Sequence, residues 1–205
     1  MSATVAVTAV GAAEGARAAA AALACIGADV DRASLLVELG GRPPRPTLLA
    51  SAAARELEER LAAHLPQARA AARGQVCHLA VAEGEEGFAA ASAAVTVALG
   101  SLAVVHAPPD SLQQLLVADR PRFTGVLLRA EVAADRALLA LVAEDLVARD
   151  LDVAVLKQRL SWVDERRALF GVLGADAGIP PRPRDRLLAG TCSDEGVAYA
   201  AAVAL

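Results

Sequence analysis

Residues 4–26 read TVAVTAVGAAEGARAAAAALACI, and this stretch decides the fold. Its first part is an unbroken run of small, apolar and β-branched residues, which is typical of a strand buried on both faces. Gly11 and Gly15 then permit a tight turn, and the alanine-rich residues 14–26 predict a helix. A strand that passes through a glycine-containing loop into a helix is half of a parallel β-α-β unit, so the stretch predicts an α/β protein.

The loop has the outline of a phosphate-binding loop without its usual chemistry. A loop of the form G-x-x-x-x-G-K-[ST] places a lysine on the β/γ-phosphates and a hydroxyl on Mg²⁺. Ala16 and Arg17 stand in those two places, and the only lysine of the chain is Lys157. We therefore expect no nucleotide cleavage of the usual kind. Arg17 could still bind an anion at the helix start, although an ion pair with Glu14 or another nearby acid is the simpler interpretation.

Apolar runs of strand length recur along the chain and alternate with helical patterns. The strands are expected at residues 34–39, 75–81, 102–106, 123–128 and 153–156, and the helices at 48–65, 86–99, 111–117 and 133–149. Thr47 is the expected N-cap of the second helix. The pattern predicts a three-layer α/β/α fold with a mostly parallel sheet of six or more strands. Residues 1–205 are expected to form a single domain with a C-terminal tail at about 180–205.

Composition narrows the class of protein further. The 205 residues carry a formal net charge of −4, so no global basic field favours a nucleic-acid partner. Cys25, Cys77 and Cys192 are widely separated, which favours reduced thiols in the cytoplasm over disulfides or a zinc site. We expect no secretory leader. Residues 88–109 have no Asp, Glu, Lys or Arg, but Gly100 divides them into a helical and a strand-like half, so a buried helix-turn-strand is expected rather than a membrane span.

Four short segments carry a resemblance to a known family. They are GAAEGAR at residues 11–17, VELG at 37–40, HAPP at 106–109 and QR at 158–159. In this order they resemble the phosphate loop, the V-D-x-D and D-x-P-P segments and the adenine-reading Asn-Arg of the MinD/ParA class. That class comprises P-loop ATPases with a deviant Walker A loop, of the SIMIBI type. Within it, the likeness in outline is to TadZ/CpaE-type pilus-assembly and septum-site-determining proteins, over nearly the whole chain.

The resemblance implies a P-loop NTPase-like fold whose site is altered at each landmark. Of the family loop K-G-G-x-G-K-[ST], only Gly15 remains, and both lysines are absent. Glu38 stands for the first acid of V-D-x-D and Gly40 for the second. His106 replaces a metal-associated carboxylate, and an imidazole cannot serve Mg²⁺, which prefers oxygen ligands. Gln158 and Arg159 are a mild change at the base-reading position, so part of a nucleotide-binding architecture could persist.

Each landmark also has a purely structural interpretation. The glycines could serve only the turn, Glu38 could be a solvated carboxylate, and His106 could form a hydrogen bond at a sheet edge. His78 and Cys77 are neighbours on a predicted strand, so their side chains point to opposite faces and do not form a chelate.

Two enzyme classes fit less well. The same glycine loop also resembles the T-G-x-x-x-G-x-G opening of short-chain dehydrogenases, but its third glycine is absent. The Tyr-x-x-x-Lys of that family is missing too, because Tyr199 is followed by Val203. No G-x-S-x-G elbow indicates a hydrolase.

The sequence therefore predicts a catalytically inactive P-loop NTPase-like protein that acts as an interaction or positioning module, for a pilus, secretion or septum machine. No catalytic residue, metal site or resident cofactor is expected, and ATP is possible but not expected. The partner would be another protein or a second copy, in a homodimer independent of nucleotide. The alternatives are a weak nucleotide-binding regulatory protein of the same class, an ATPase with relocated catalytic groups and a degenerate dehydrogenase-like Rossmann protein.

Overall fold

A computed structural model describes residues 3–10, 16–28, 32–44, 49–118, 121–130 and 136–157. Within these ranges, strands and helices alternate along the chain. The strands are β1 (Thr4–Val10), β2 (Ser34–Leu39), β3 (Arg69–Arg73), β4 (Val76–Val81), β5 (Ala103–His106), β6 (Gly125–Ala130) and β7 (Asp152–Lys157). The helices are α1 (Ala16–Gly27), α2 (Ala52–His64), α3 (Glu85–Val97), α4 (Pro109–Ala118) and α5 (Arg136–Val147).

The strands form one seven-stranded sheet in the order β3-β4-β2-β5-β1-β6-β7. Every neighbouring pair is parallel except β3 with β4, which is antiparallel. The central strands β1 and β2 are buried on both faces, as is typical of mostly apolar strands in a parallel sheet. The predicted α/β class and the mostly parallel sheet of at least six strands are therefore confirmed.

The helices cover both faces of the sheet, but unequally. Helix α1 packs with Val5, Leu36 and Val104 on one face, whereas α2 to α5 contribute to the cluster on the opposite face. Parallel strands are connected by right-handed crossovers. The β1-α1-β2 crossover runs in one direction along the sheet, and the α3, α4 and α5 crossovers run in the other, so they lie on opposite faces. The result is a helix-sheet-helix arrangement of layers.

Strand β3 is the main departure from the sequence-based expectation. Its sequence, RAAAR, is short and poor in β-branched residues, so nothing in it predicts a strand. It pairs with β4 through a tight turn at Gly74, whose φ is +56°. The expected start of the second helix was also wrong, because α2 begins at Ala52 and is capped by Ser51, whose Oγ accepts a hydrogen bond from the N–H of Ala54 at 3.1 Å. Thr47 lies outside the described residues.

The uncharged segment 88–109 forms the expected helix-turn-strand. Helix α3 ends at Val97, Gly100 adopts a φ of +93° in the turn, and β5 follows. Among the described residues, no helix combines the length and the apolar character needed to cross a membrane.

Candidate functional site

The topology places the candidate site at the carboxyl ends of β1 and β5. These strands are neighbours, with Val7 opposite His106. The chain leaves β1 through α1 toward β2, and it leaves β5 through α4 toward β6, in opposite directions and on opposite faces. Adjacent strands of this kind form a topological switch point, which is where open α/β sheets bind ligands. The degenerate loop also follows β1, although residues 11–15 lie outside the described part of the chain.

An arginine from α1 and a glutamate from β2 meet at this edge. The Arg17 Nε donates to Glu38 Oε1 at 2.5 Å, and its Nη2 donates to Glu38 Oε2 at 2.9 Å. The Glu38 side chain is fully buried, whereas the Arg17 side chain is 42% exposed. This bidentate geometry is the strongest form of a side-chain ion pair. The simpler interpretation of Arg17 expected a pair with Glu14 or another nearby acid, whereas the structure pairs it with Glu38, 21 positions away in the sequence. Glu38 is fully buried, so it is not the solvated carboxylate of its own simpler interpretation.

A histidine from β4 completes the arrangement. His78 Nε2 lies 2.8 Å from Glu38 Oε2, and both side chains are fully buried. An ionised carboxylate only accepts hydrogen bonds, so the proton of this contact belongs to His78 Nε2. The other ring nitrogen, Nδ1, is buried and has no hydrogen-bond partner among the described residues. The result is a line of three side chains, the partly exposed Arg17 and the buried Glu38 and His78, which we call the Glu38 network.

The electrostatics favour an ionised Glu38. Burial by itself would raise the pKa of this carboxyl, but the hydrogen bonds from His78 and Arg17 outweigh it, and the pKa lies below its ordinary value. Within the described part of the chain, the two oxygens accept three N–H groups. A carboxylate offers about four lone-pair sites, so little of this group remains available for a metal ion or a water molecule.

His106 lies beside the network, at the position where the resemblance implied a metal-associated carboxylate. It is opposite Glu38 in the β2–β5 ladder, so both side chains leave the same face of the sheet. Burial lowers the pKa of His106, and the Arg17 charge lowers it further against the opposing effect of Glu38. The imidazole is therefore neutral at pH 7. His106 is the last residue of β5, which lies between β2 and β1, so it stands at the carboxyl edge of the sheet on an interior strand.

The turn after β2 closes over the buried carboxylate. Gly40 has a φ of +67°, which favours glycine. At Gly41, a Cβ atom would stand 2.7 Å from the Glu38 Cβ and 2.9 Å from its Oε2. A side chain at this position would push Glu38 away from Arg17 and His78. The missing side chain at Gly41 is therefore part of what makes room for the network.

The neighbouring thiol plays no part in the site. Cys77 packs in the apolar cluster beneath α2 to α5, on the face opposite His78, as strand alternation predicts. Burial raises the pKa of its thiol to about 12, with a smaller contribution from the Glu58 charge. Within the described residues, no group of three His, Cys, Asp or Glu side chains is arranged to hold a metal ion.

Four of the residues selected from the sequence lie at this edge: Ala16, Arg17, Glu38 and His106. Ala16, the first residue of α1, is buried in the apolar cluster on the α1 face of the sheet. Gly11, Gly15, Gln158 and Arg159 lie outside the described residues, and so does the tail at 180–205. Sequence reasoning missed His78. The alternation of side chains along a strand could have indicated it. His78 is two positions after Val76 on β4, the strand next to β2, and its side chain lies on the same face of the sheet as that of Glu38.

Comparisons with known proteins give no further assignment. No protein-family model matches the chain, and no curated protein matches it in sequence.

Proposed function

We propose that the chain is a catalytically inactive, P-loop NTPase-like protein of the MinD/ParA class that acts as an interaction or positioning module. The machine would be one for pilus assembly, secretion or septum placement, in the cytoplasm. The observation that carries the proposal is the bidentate pair between Arg17 and Glu38. These are the cation next to the degenerate loop and the acid that remains at the second landmark, and each neutralises the other.

The chemistry of the neighbouring groups supports this proposal. An active site of the resembled class needs a free cation on the phosphates and free carboxylate oxygens near Mg²⁺. Glu38 is sealed from solvent and accepts three N–H groups. The lowered pKa of His106 leaves this imidazole neutral, so it offers no charge to a phosphate at pH 7. A nucleotide in this site would have to break the Arg17 pair before it gained an equivalent contact.

The first test is a phosphate-release assay with Mg²⁺ and ATP. We expect the purified chain to release no phosphate above a buffer control, and Arg17→Ala to leave that result unchanged. A turnover that persists through purification and disappears in Arg17→Ala and Glu38→Gln would show that these residues serve catalysis, and the proposal of an inactive protein would be wrong.

One observation favours the second candidate, a regulatory protein that binds nucleotide weakly without cleaving it. Arg17 is 42% exposed although it is paired, and a guanidinium has five N–H donors, of which Glu38 takes only two. The remaining donors could contact an anion at the α1 end of the site. Calorimetric titration with ADP and ATP distinguishes the candidates, because the first expects no heat of binding and the second expects weak binding that Arg17→Ala abolishes.

A further inference from the structure

A groove between α4 and α5 opens on the sheet face opposite the Glu38 network. Its volume is about 520 Å³, and residues of β1 and β6 form its floor. The walls are mainly apolar, with Leu112 and Leu116 from α4 and Leu141 and Val142 from α5. Neighbouring helices in one layer ordinarily cover such side chains by packing against each other. Because the groove separates α4 from α5, part of the apolar side of each helix is left uncovered.

Large apolar side chains of these two helices face solvent. Leu141 lines the groove and is 65% exposed, and Val117, one turn after Gln113 on α4, is 72% exposed. Apart from Asp110 in its first turn, α4 carries no charged residue. A surface helix ordinarily has charged residues on its solvent side, and a continuous uncharged apolar surface is typical of a contact with another protein. The open and exposed walls therefore favour a protein partner over a small ligand.

The charges that line the groove lie at its two ends. Helices α4 and α5 each connect the carboxyl end of one parallel strand to the amino end of another, so they run in the same direction. Asp110, in the first turn of α4, therefore lies at the carboxyl end of the sheet, and Arg149, just after α5, lies at the amino end. Among the described lining residues, Arg149 is the only cation. Its Nε donates to Asp145 at 3.1 Å, and a guanidinium has five N–H donors, so it can bind a second carboxylate.

This distribution of charge is complementary to itself. A two-fold axis perpendicular to the groove turns a second copy end for end, which brings Asp110 of each copy to Arg149 of the other. An axis along the groove would instead place Asp110 against Asp110 and Arg149 against Arg149, and like charges repel each other across an interface. The charges therefore favour a second copy of the chain in the antiparallel orientation.

We propose that the α4–α5 face is a self-association surface, on which a second copy of the chain packs antiparallel about a two-fold axis. Leu141 and Val117 of the two copies lose their contact with water, and α4 and α5 of one copy pack on α4 and α5 of the other. The Asp110–Arg149 pairs lie at the two ends of the interface. The surface is on the sheet face opposite the Glu38 network, so the proposal does not rest on the function proposed for that network.

The test is sedimentation equilibrium of the full chain across a concentration series, without nucleotide. We expect a reversible equilibrium between monomer and dimer. Leu141→Glu should raise the dissociation constant at least about tenfold, because it places an unpaired charge in an apolar interface. The matched control is Leu99→Glu, which changes a leucine that is 67% exposed just beyond α3. This control should leave the dissociation constant unchanged, and circular dichroism checks that both variants are folded.

An exchange of charge tests the antiparallel orientation. Asp110→Arg and Arg149→Asp should each raise the dissociation constant about tenfold, because each variant alone sets like charges against one another. An equal mixture of the two variants should associate as the parent does, because a pair with one copy of each has opposite charges at both ends. Leu141→Glu tests the surface independently if either charge variant does not fold.

Three results would overturn the proposal. A monomer at every concentration would show that the face does not bind a second copy. A dimer that Leu141→Glu weakens no more than Leu99→Glu would place the interface elsewhere. A mixture of Asp110→Arg and Arg149→Asp that associates no better than either variant alone would exclude the antiparallel two-fold arrangement.

Discussion

Glu38 is a buried carboxylate, so the hydration that it loses on folding has to be replaced by other interactions. An ion removed from water is tolerated only when hydrogen bonds and opposite charge replace its hydration. Arg17 and His78 supply both, from a helix and a strand that flank β2. The partners are unequal, because Arg17 reaches solvent while His78 is sealed. Removal of the charge at Glu38 therefore costs His78 more than Arg17, because water can solvate the exposed part of Arg17 but cannot reach His78.

We predict that Glu38→Gln lowers the free energy of unfolding by about 2 kcal/mol. The glutamine amide keeps the size of the side chain, but its NH₂ group faces donors instead of accepting from them. Urea denaturation measures the change. The control is Asp145→Asn, which removes an exposed pair with Arg149 on α5 and should cost less than about 0.5 kcal/mol. Equal costs for the two variants would contradict a stabilising role for the network.

The free energy of unfolding should decrease in two steps as the pH is lowered, the first caused by His106 and the second by Glu38. The pKa of His106 is lowered from 6.5, so the unfolded chain takes up its proton first and stability falls as the pH drops below 6.5. The pKa of Glu38 is lowered from 4.5. Its contribution is complete above 4.5 and is lost as the pH falls through the folded-state value.

Each step has a variant that should remove it. His106→Gln should flatten the slope just below pH 6.5, and Glu38→Gln should flatten the slope below pH 4.5, each by at most about 1.4 kcal/mol per pH unit. Urea unfolding of the parent and both variants across this pH range gives the slopes. A parent slope that survives unchanged in His106→Gln would assign the first step to another group.

At the residue scale, the sequence predicted part of the site. The landmarks selected Arg17 and Glu38 as members of one site, and the structure joins them. The burial of Glu38 was not predictable, because a single glutamate at a strand end has the same local sequence whether it is solvated or covered. His78 was missed because its partner is fixed by the register between β2 and β4, which no local pattern contains.

At the scale of elements, the long apolar strands were predictable from the sequence, whereas the short strand β3, which has an arginine at each end, was not. Strands β1 and β2 match their expected bounds because each is a mostly apolar run that ends at turn residues. β3 exists because Gly74 turns the chain back and β4 offers a free edge. Pairing with a neighbour, rather than propensity, makes it a strand.

The packing of α3 on the end of β4 depends on a helical glycine. A Cβ at Gly87 would stand 1.7 Å from the Ala82 carbonyl oxygen, which is backbone and cannot yield. We predict that Gly87→Ala destabilises the fold by about 2 kcal/mol, despite the gain in helix propensity. Thermal unfolding of the parent and of Gly87→Ala measures this loss of stability.

Gly27→Ala is the matched control, because it also adds a methyl group to a helical glycine. Its Cβ would meet the flexible end of the Leu102 side chain, so the cost should stay below about 1 kcal/mol. A smaller effect at Gly87 than at Gly27 would contradict the proposed role of the close backbone contact.

At the scale of the whole molecule, the proposed function predicts that self-association or partner binding does not depend on nucleotide. The surfaces that we expect to take part border the degenerate loop at 11–17 and the proline-rich segment at 42–46, where Arg42 and Pro43 are exposed. Light scattering across a concentration series, with and without Mg²⁺ and ATP, should give the same mass under both conditions. A shift from monomer to dimer that requires ATP would refute the inactive-site proposal.

The central position of β1 has a consequence for how the chain acquires its fold. Thr4 pairs with Ala103 and Val5 with Gly125, so both ladders of this strand join residues about a hundred positions apart, and such long-range pairing is slow to form. During synthesis on a ribosome, the apolar β1 must wait for β5 and β6 while its hydrogen-bonding edges remain open. Unpaired strands of this kind invite contact with other chains. The yield of native protein should therefore depend more on the rate of synthesis and on chaperone supply than on the stability of the finished molecule.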